Sequence, residues 1–358
     1  MVSIYFILKP TECLPLPVSA VEGRKLQLAG GSTYLVSLPK RWVLDAGLKA
    51  GDTLFVDSEV DGSVSVRHKR EDHPPVRKKV FEEKGEEARE HLLRKLIGAY
   101  ISGFGLIEIH FGADRGPFVR RAARDFCRLV IGPEVIEENR NTLIIQDLSD
   151  PSELSAEKCL RRMHLITRAM LEDAVLALQT QNSALAHDVV QRSQDVDRLY
   201  WMVAKRYLTP GQLAGADGQG VGSVLVHGLV AKLLERIGFH AVRISGTYAT
   251  LCERKPIDAK LAADLIVAKN SAASILDRAF HSLMAGDIDE ANEAIDSRPQ
   301  HQKLIDDLFH RVATRKGEEL LALAAVLDSL GRIAGWSSDL AEQAINLAVM
   351  TEPTPVRH

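Results

Sequence analysis

Residues 26–56 read LQLAGGSTYLVSLPKRWVLDAGLKAGDTLFV, and this stretch decides the fold of the N-terminal part of the chain. Apolar and polar residues alternate on both sides of Gly30-Gly31, which is typical of two short strands joined by a turn. Pro39 stands where a short helix begins, and Gly47 stands where it ends. The alternation returns at residues 54–56 and 64–66, with the turn signal Asp61-Gly62 between them. The sequence therefore predicts the order β, β, α, β, β for residues 23–70.

This segment is too small to build a secure core alone, because a chain of its length buries little apolar surface. We therefore expect a second copy of the chain to share its sheet. The segment is also locally basic: between Arg24 and Lys79 there are 11 Lys and Arg against 7 Asp and Glu, whereas residues 151–358 have 23 against 26. Basic side chains on a rigid sheet can neutralise the phosphates of a nucleic acid.

The overall composition is that of a globular protein with several domains. The chain has 358 residues, 46% hydrophobic and 26% charged, so two or three domains are expected. We find no apolar stretch of the roughly 20 residues that a membrane span needs, and we expect no membrane insertion. Residues 1–22 are interpreted as a disordered leader, with a signal peptide as the alternative. The cysteines form no CxxC pair, which fits a reducing cytoplasm; they are Cys13, Cys127, Cys159 and Cys252.

The central part of the chain changes character twice. Residues 71–85 are rich in charge and contain Pro74-Pro75 and Arg77-Lys78-Lys79, so we predict a solvated linker there. Residues 86–150 combine strand and helix patterns: a strand is predicted at residues 106–111, with a helix on either side, and a strand pair at residues 135–146. We assign residues 86–150 to a small α/β middle domain.

The C-terminal half is predicted to be all α-helical, because apolar residues recur at helical spacing after residue 151. It contains an internal repeat. Residues 170–174 (MLEDA) match residues 275–279 (ILDRA), and residues 233–240 (LLERIGFH) match residues 329–336 (SLGRIAGW). The difference between the two offsets falls in the glycine-rich residues 209–222. We predict two related three-helix units, residues 151–250 and 251–350, followed by a tail at residues 351–358.

Two parts of the chain resemble known families. Residues 26–56, with the basic start Arg24-Lys25, the SLPKRW core and the GLKAGD turn, resemble the swapped-hairpin domain of the SpoVT/AbrB family of transcription regulators. The helical half resembles the PhoU family of phosphate-uptake regulators, through its tandem repeat and its RIGFH and GRIAG segments. The combination, with an α/β domain between, resembles the PhoU-like phosphate-uptake regulators found mainly in archaea. This resemblance covers nearly everything after Gly23.

The first resemblance implies a homodimer whose two chains interleave their strands and present a basic face to DNA. An alternative stays open: the basic face is merely solvated, and the domain serves dimerisation and protein binding, as in antitoxin-type relatives. The residues expected to contact DNA through charged or hydroxyl groups are Arg24, Lys25, Ser32, Thr33, Tyr34, Lys40 and Arg41.

The second resemblance implies E(D)xxxD motifs, in which carboxylates four residues apart gather iron or zinc. This sequence departs from the motif, so we predict no metal site and no cofactor. A metal held by Glu235 and His240 stays open, against a histidine that is simply buried in the core. The departures are Phe239 four residues after Glu235, Ser193 four before Asp197, and Arg298, Gln302, Gly331 and Gly335 in the second repeat.

The residues favour regulation over catalysis. There is no nucleophile with a neighbouring base and no HExxH motif, and the glycine-rich residues 215–223 lack the strand and the Lys-Ser/Thr pair of a phosphate-binding loop. Our first hypothesis is a cytoplasmic DNA-binding transcriptional regulator of phosphate uptake, whose bundle contacts a phosphate transporter or sensor protein. The second is a dimeric interaction protein that inhibits such a transporter or sensor directly, without DNA. The third is a metal-storing bundle.

Overall fold

The computed structural model describes residues 23–30, 33–58, 64–68, 76–83, 85, 88–149, 155–208, 221–252 and 257–351. The predicted leader at residues 1–22 and nearly all of the predicted tail lie outside the described residues. The chain divides into two compact units, Met1–Pro74 and Pro75–His358.

The first unit has the predicted element order. Two antiparallel hairpins flank one short helix, and the alternating residues pair across the strands, with Leu28 opposite Tyr34 and Val56 opposite Val66. The hairpins form separate two-stranded sheets. The elements are β1 (Gln27–Ala29), β2 (Thr33–Leu35), α1 (Lys40–Asp45), β3 (Phe55–Ser58) and β4 (Val64–Arg67).

Glycine fixes the end of α1. Gly47 has φ +67°, a left-handed conformation that side chains rarely adopt. Its N–H donates to Leu44 O at 3.0 Å, and the N–H of Leu48 donates to Val43 O at 3.0 Å. This is the pair of bonds that commonly closes a helix C-terminus. The chain is thereby turned from α1 toward the second hairpin.

The first unit has no buried residue among its described positions. Its large apolar side chains are mostly open to solvent: Leu28 is 59% exposed and Val56 62%. Apolar surface of this extent is normally covered in a stable fold. The exposed set is Leu26, Leu28, Tyr34, Leu35, Val36, Leu44, Val56 and Val64.

The second unit begins with a four-stranded sheet of order β5-β6-β8-β7. β5 runs parallel to β6, and the other pairs are antiparallel. The apolar face of the sheet packs against two helices around Phe126 and Ile109. These elements are β5 (Lys78–Glu83), α2 (Arg89–Ile101), β6 (Leu106–Phe111), α3 (Gly116–Leu129), β7 (Pro133–Glu138) and β8 (Thr142–Asp147).

The predicted linker at residues 71–85 is wrong over Lys78–Glu83, which forms strand β5. Its sequence KKVFEE carries four charges and only two apolar residues, so the alternation is weak. Charged residues are common on edge strands, where they block unwanted pairing. Phe81 packs on the core, and Glu83 is buried, with Lys95 Nζ at 3.6 Å and Arg115 Nη2 at 3.8 Å from its carboxylate.

The α/β layer and the helical half pack into one unit. Tyr100 of α2 is 1% exposed, and its hydroxyl donates to Ile131 O at 3.0 Å and lies against Met202 of the bundle. Lys205 also forms an ion pair with Asp147, at the end of β8. The middle domain is therefore fixed to the first helical repeat.

The helical half contains the predicted repeat, with one difference. The first copy has helices α4 (Ala156–Thr180), α5 (Ser183–Leu208) and α6 (Val221–Gly246), followed by the short α7 (Tyr248–Cys252). In the second copy the middle helix is broken at Ser297. Pro299 has no N–H to donate and its ring clashes with the preceding turn, so it is tolerated only in the first turn of a new helix. The second copy comprises α8 (Ala259–Ala285), α9 (Ile288–Asp296), α10 (Arg298–Val312) and α11 (Gly317–Thr351).

The joints between the first two helices of each copy are built alike. Gln181 and Gly286, which are 105 residues apart, both adopt left-handed conformations with φ +52° and +70°. Each is followed by a capping side chain: Asn182 Oδ1 accepts from Leu185 N, and Asp287 Oδ1 accepts from Glu290 N, both at 3.0 Å. The repeat in the sequence is thus a repeat in backbone conformation.

The two copies pack mainly through α6 and α11, and α4 and α8 add two reciprocal polar pairs. His164 Nε2 lies 3.1 Å from Asp277 Oδ1, and Lys269 Nζ lies 2.6 Å from Glu172 Oε1. His164 corresponds to Lys269 in the repeat, and Glu172 corresponds to Asp277. Each base therefore pairs with the acid of the other copy, and Arg168 bridges both carboxylates.

Helix α11 has the length and composition of a membrane span, which the sequence analysis did not identify. Half of its most apolar window is buried inside the protein. It contributes Val326, Leu330 and Ile333 to one core shared by both copies. Its hydropathy is that of a central core helix.

Replacing Glu172 by Gln should lower the free energy of unfolding by about 1 kcal/mol at pH 7, because Lys269 is buried and loses its charged partner. The hydrogen bonds from Lys269 and Arg168 hold the pKa of Glu172 below 4.5. The interaction is therefore present above that pH and is lost as pH falls through the folded-state pKa. Urea unfolding of the wild type and the variant measures the difference in free energy of unfolding, which should be smaller at pH 3.5 than at pH 7.

The matched control is Glu157→Gln, which removes the exposed i,i+4 pair with Arg161 and should cost less than about 0.5 kcal/mol. An equal cost for the two substitutions at pH 7 would contradict the role of Glu172.

Candidate nucleic-acid interface

The candidate interface is the first hairpin together with the start of α1. Arg24 and Lys25 precede β1 directly, and Lys40 and Arg41 are the first residues of α1. All four side chains are exposed. Arg41 forms an ion pair with Asp45 at 3.7 Å, but the two side chains are 94% and 72% exposed, so this pair is weak.

The register of the first hairpin places Arg24 and Lys25 near its open end. Gln27 of β1 pairs with Leu35 of β2, so the residues before Gln27 and those after Leu35 share the open end of the hairpin. Arg24 and Lys25 enter there, and the chain leaves there toward Lys40 and Arg41. Arg24 and Lys25 therefore lie near the open end of the hairpin, which we call its cationic end, and Lys40 and Arg41 follow five and six residues after Leu35 at the start of α1.

The predicted hydroxyl contacts are spread more widely. Thr33 pairs with Ala29 beside the turn, at the opposite end of the hairpin from the cations. Tyr34 lies in the middle of β2, and its side chain is 66% exposed. Ser32 lies outside the described residues. The hairpin thus has a cationic end and a hydroxyl end, separated by the exposed pair Leu28 and Tyr34.

Chemically, this arrangement can bind a polyanion. Lys and Arg side chains at the end of a rigid hairpin can contact successive phosphates, while hydroxyl groups donate to phosphate oxygens. Lys and Arg side chains carry their positive charge at neutral pH.

In the helical half, the two carboxylates that remain of the metal motif, Asp197 and Glu235, still interact. Burial, and to a smaller extent the charge of Glu235, raises the pKa of Asp197 to about 6. Lys232 Nζ lies 2.8 Å from Glu235 Oε2 and 4.6 Å from the centre of the Tyr200 ring. The positive charge of Lys232 therefore offsets part of the negative charge of Asp197 and Glu235.

His240 is 8% exposed on α6, and its Nδ1 has no hydrogen-bond partner among the described residues. Burial lowers the pKa of His240, and Arg243 acts in the same direction. No group of three or more metal-binding side chains occurs in the part of the chain that the structure describes. Glu235 and His240, the pair left open by the sequence, therefore belong to no such group among the described residues.

The second repeat departs further at the corresponding place. Arg298 and Gln302 of α10 face Gly331 and Gly335 of α11 across an open groove of about 380 Å³. The sequence analysis treated these residues only as lost metal ligands. It missed the groove, which the glycines leave open and which Arg332 and Trp336 also line. Two glycines one helical turn apart within an apolar helix were the available signal.

Two family models match parts of this chain. Residues 160–247 match the PhoU domain, and residues 27–72 match the MazE antitoxin involved in antidote–toxin recognition. The first match covers most of the first helical copy, and the second covers both hairpins and α1 but begins after Arg24 and Lys25. A comparison with curated protein sequences finds no significant match.

Solved structures of PhoU proteins resemble the helical half. PhoU from Pseudomonas aeruginosa is 20% identical, with a TM-score of 0.50; the match covers 55% of this chain and 96% of that one. The phosphate transport system regulatory protein PhoU from Streptococcus pneumoniae is 15% identical, with a TM-score of 0.48, covering 57% and 97%. The first likeness identifies the tandem helical bundle as a PhoU fold.

Replacing Asp197 by Asn should raise the free energy of unfolding by about 1 kcal/mol at pH 8. The folded-state pKa of about 6 lies above the ordinary value of 3.8, so charged Asp197 destabilises the fold above pH 6. Below pH 3.8 Asp197 is protonated in both the folded and the unfolded state. The increase in the free energy of unfolding from asparagine should therefore shrink as the pH falls toward 4. Thermal unfolding across this pH range tests this.

The control is Asp195→Asn, two residues away on the same helix and exposed. Its effect should stay within about 0.5 kcal/mol at every pH. If both substitutions gave the same pH profile, the burial of Asp197 would not be the cause.

Proposed function

We propose that this chain is a DNA-binding transcriptional regulator of phosphate uptake and phosphate homeostasis. The observation that carries the proposal is the set of exposed cations of the first unit, with Arg24 and Lys25 before β1 and Lys40 and Arg41 at the start of α1, in a unit that matches an antitoxin-type model. That unit belongs to the same chain as a helical bundle with the fold of PhoU. The bundle would report phosphate status and the hairpin would act on DNA.

The active form is a homodimer through the first unit. In a single chain, Leu28, Tyr34 and Val56 are more than half exposed, and no described residue of this unit is buried. A second copy that interleaves its strands would cover this apolar surface and would double the number of basic ends. Two symmetric ends suit a two-fold related DNA site.

The helical half acts through a protein partner, a phosphate transporter or its sensor. The match to the PhoU domain and the solved PhoU fold support this role. The acid pair of Asp197 and Glu235, balanced by Lys232, is a poor nucleus for a metal cluster. We therefore infer a non-enzymatic protein without a metal or cofactor, working in the cytoplasm.

A second candidate function has specific support. The model that matches residues 27–72 describes an antitoxin that recognises a protein toxin. In this alternative, the first unit only dimerises and binds protein, and the chain inhibits a phosphate transporter or sensor directly. The two candidates differ in whether the cationic end contacts DNA.

Reversing the charges of Lys40 and Arg41 to Glu should weaken DNA binding at least about tenfold at 0.1 M salt, because each lost phosphate contact removes counterion release. The wild-type affinity should fall steeply with salt, and the variant should show a shallower slope. Gel-shift titrations with duplexes from upstream of phosphate-transport genes, at several salt concentrations, measure both.

The charge-matched control is Arg121→Glu with Arg124→Glu, two exposed residues of α3 in the other unit. This variant should keep wild-type DNA affinity. A wild-type protein that shifts no duplex would favour direct inhibition. Chromatin pull-down at high and low phosphate would then show no enrichment upstream of transport genes.

Replacing Leu28 by Asp should convert the dimer to a monomer, because Leu28 and its cross-strand partner Tyr34 are exposed in the single chain. Light scattering after size exclusion gives the mass. Leu321→Asp, at a 71% exposed position of α11, is the matched control and should leave the mass unchanged. A wild-type protein that is monomeric at micromolar concentration would contradict the interleaved arrangement.

A further inference from the structure

A cavity of about 420 Å³ lies at one end of the helical bundle. It is found where α4 and α6 begin and where α8 and α11 end, so both helical copies contribute to it. Pockets of about 300 to 1,000 Å³ with mostly apolar walls and a few polar groups are usual for small organic ligands. The apolar side of this cavity includes Leu283, Met284 and Leu347, and the polar side includes Glu157, Ser223 and His227.

His227 is the most buried polar side chain among the described residues that line the cavity. It lies on α6 and is 6% exposed, and its Nδ1 is enclosed without a hydrogen-bond partner among the described residues. Its Nε2 has no such partner either, but this atom is not enclosed. Because His227 lines the cavity, Nε2 is the ring nitrogen that the cavity reaches.

Packing does not require a histidine at this position. Residues 233–240 match residues 329–336, so the repeat places Leu323 of α11 at the position that corresponds to His227. Leu323 is 1% exposed and belongs to the shared core. An apolar side chain therefore satisfies the fold at the equivalent place, whereas a buried polar ring without a partner is unfavourable. Such a departure from good packing is typical of a functional position.

The imidazole of His227 is a neutral hydrogen-bond donor at pH 7. Burial lowers the pKa of His227 and outweighs the opposing charge of Glu157. A neutral imidazole has one N–H and one bare nitrogen. An enclosed N–H without an acceptor is rarer than an enclosed acceptor without a donor, which favours the tautomer with the proton on Nε2. The Nε2–H group is therefore available to an acceptor in the cavity.

Glu157 supplies an acceptor near this donor. Among the charged groups that act on His227, it has the largest effect. Its Oε1 accepts from Arg161 Nη2 at 2.7 Å, and its Oε2 has no hydrogen-bond partner among the described residues. The polar side of the cavity thus combines a neutral donor with a carboxylate acceptor. Met284, on the apolar side, has a thioether, which makes favourable contacts with aromatic rings.

We propose that this cavity binds a neutral adenine ring, carried on a nucleoside or a nucleotide. One edge of adenine presents the N7 acceptor beside the N6 amino donor, which complements His227 Nε2–H and Glu157 Oε2. The flat apolar faces of the ring suit Leu283, Met284 and Leu347. The Glu157 carboxylate disfavours a small oxyanion in the same place. The site rests on geometry and on the repeat, and it stands whether or not the first unit binds DNA.

Calorimetric titration of the full-length chain with adenosine, and separately with AMP and with inosine, tests the site. The wild type should bind adenosine. Inosine has a carbonyl oxygen in place of the N6 amino group, so Glu157 would face a second acceptor. Inosine should therefore bind at least about tenfold more weakly than adenosine.

His227→Leu, which gives the first copy the residue of the second, should weaken adenosine binding at least about tenfold. It should also raise the melting temperature of the free protein, because it removes a buried nitrogen without a partner. Adenosine should raise the melting temperature of the wild type but not of this variant. The matched control is His240→Leu on the same helix; His240 is 8% exposed, has an unpaired Nδ1 and does not line the cavity, so adenosine binding should be unchanged.

Glu157→Gln tests the acceptor with little effect on folding, since Glu157 is exposed. A glutamine amide can accept from an amino group or donate to a carbonyl oxygen. The preference for adenosine over inosine should therefore shrink at least about threefold in this variant. An unchanged preference would contradict the role of Glu157.

The ligand arms distinguish the two sources of adenine. Binding of adenosine without AMP identifies a nucleoside, and AMP binding at least as tight identifies a nucleotide; either supports the site. Inosine binding as tight as adenosine would overturn the assignment to adenine. A wild type that binds neither adenosine nor AMP would overturn the site itself, and so would equal adenosine binding by the wild type and His227→Leu.

Discussion

The packing of the two helical copies on each other, mainly through α6 and α11 and also through α4 and α8, is the interaction on which the large unit depends. A single three-helix copy would leave one apolar face in water, and the two copies cover these faces on each other within one continuous core. The hydrogen bond of His164 with Asp277 and the ion pair of Lys269 with Glu172 lie between α4 and α8. Their pairing across equivalent positions fixes the register of one copy against the other, since a shift of one turn would separate both pairs. The rest of the bundle is placed by this register.

A shared core leaves the outer positions of each copy free to diverge. In the first copy, Asp197 and Glu235 lie close together, and Lys232 balances their charge. In the second copy, the same places hold Gln302, Gly331 and Asp328, and an arginine-lined groove results. The two copies thus share backbone conformation, as the left-handed joints at Gln181 and Gly286 demonstrate, but differ in charge and in open volume. One fold provides two chemically different surfaces.

The sequence predicts most of this architecture, because period-2 and period-3.6 patterns reflect burial directly. The order of the first unit, the α/β layer and the tandem repeat follow from such patterns. Strand β5 does not follow from such a pattern. A charged edge strand buries one face only in part, and the parallel pairing of β5 with β6 depends on a segment that is distant in the sequence. The break at Ser297 was signalled by Pro299, but the repeat match concealed it. The groove depends on residues from two helices that are close only after folding. The sequence therefore shows its lining residues only as separate departures from the metal motif, and the folded structure brings them together around one groove.

The first unit follows a different constraint from the bundle. Its hairpins place Leu28 opposite Tyr34 and Val56 opposite Val66, so each presents a coherent apolar face, yet no described residue of the unit is buried. In the proposed homodimer, covering this face would couple the fold of the unit to its association. The cationic end of the first hairpin belongs to the same small sheet as this apolar face. In the proposed homodimer, a partner that changed how the hairpins associate would therefore also change how many cationic ends could act together on a polyanion.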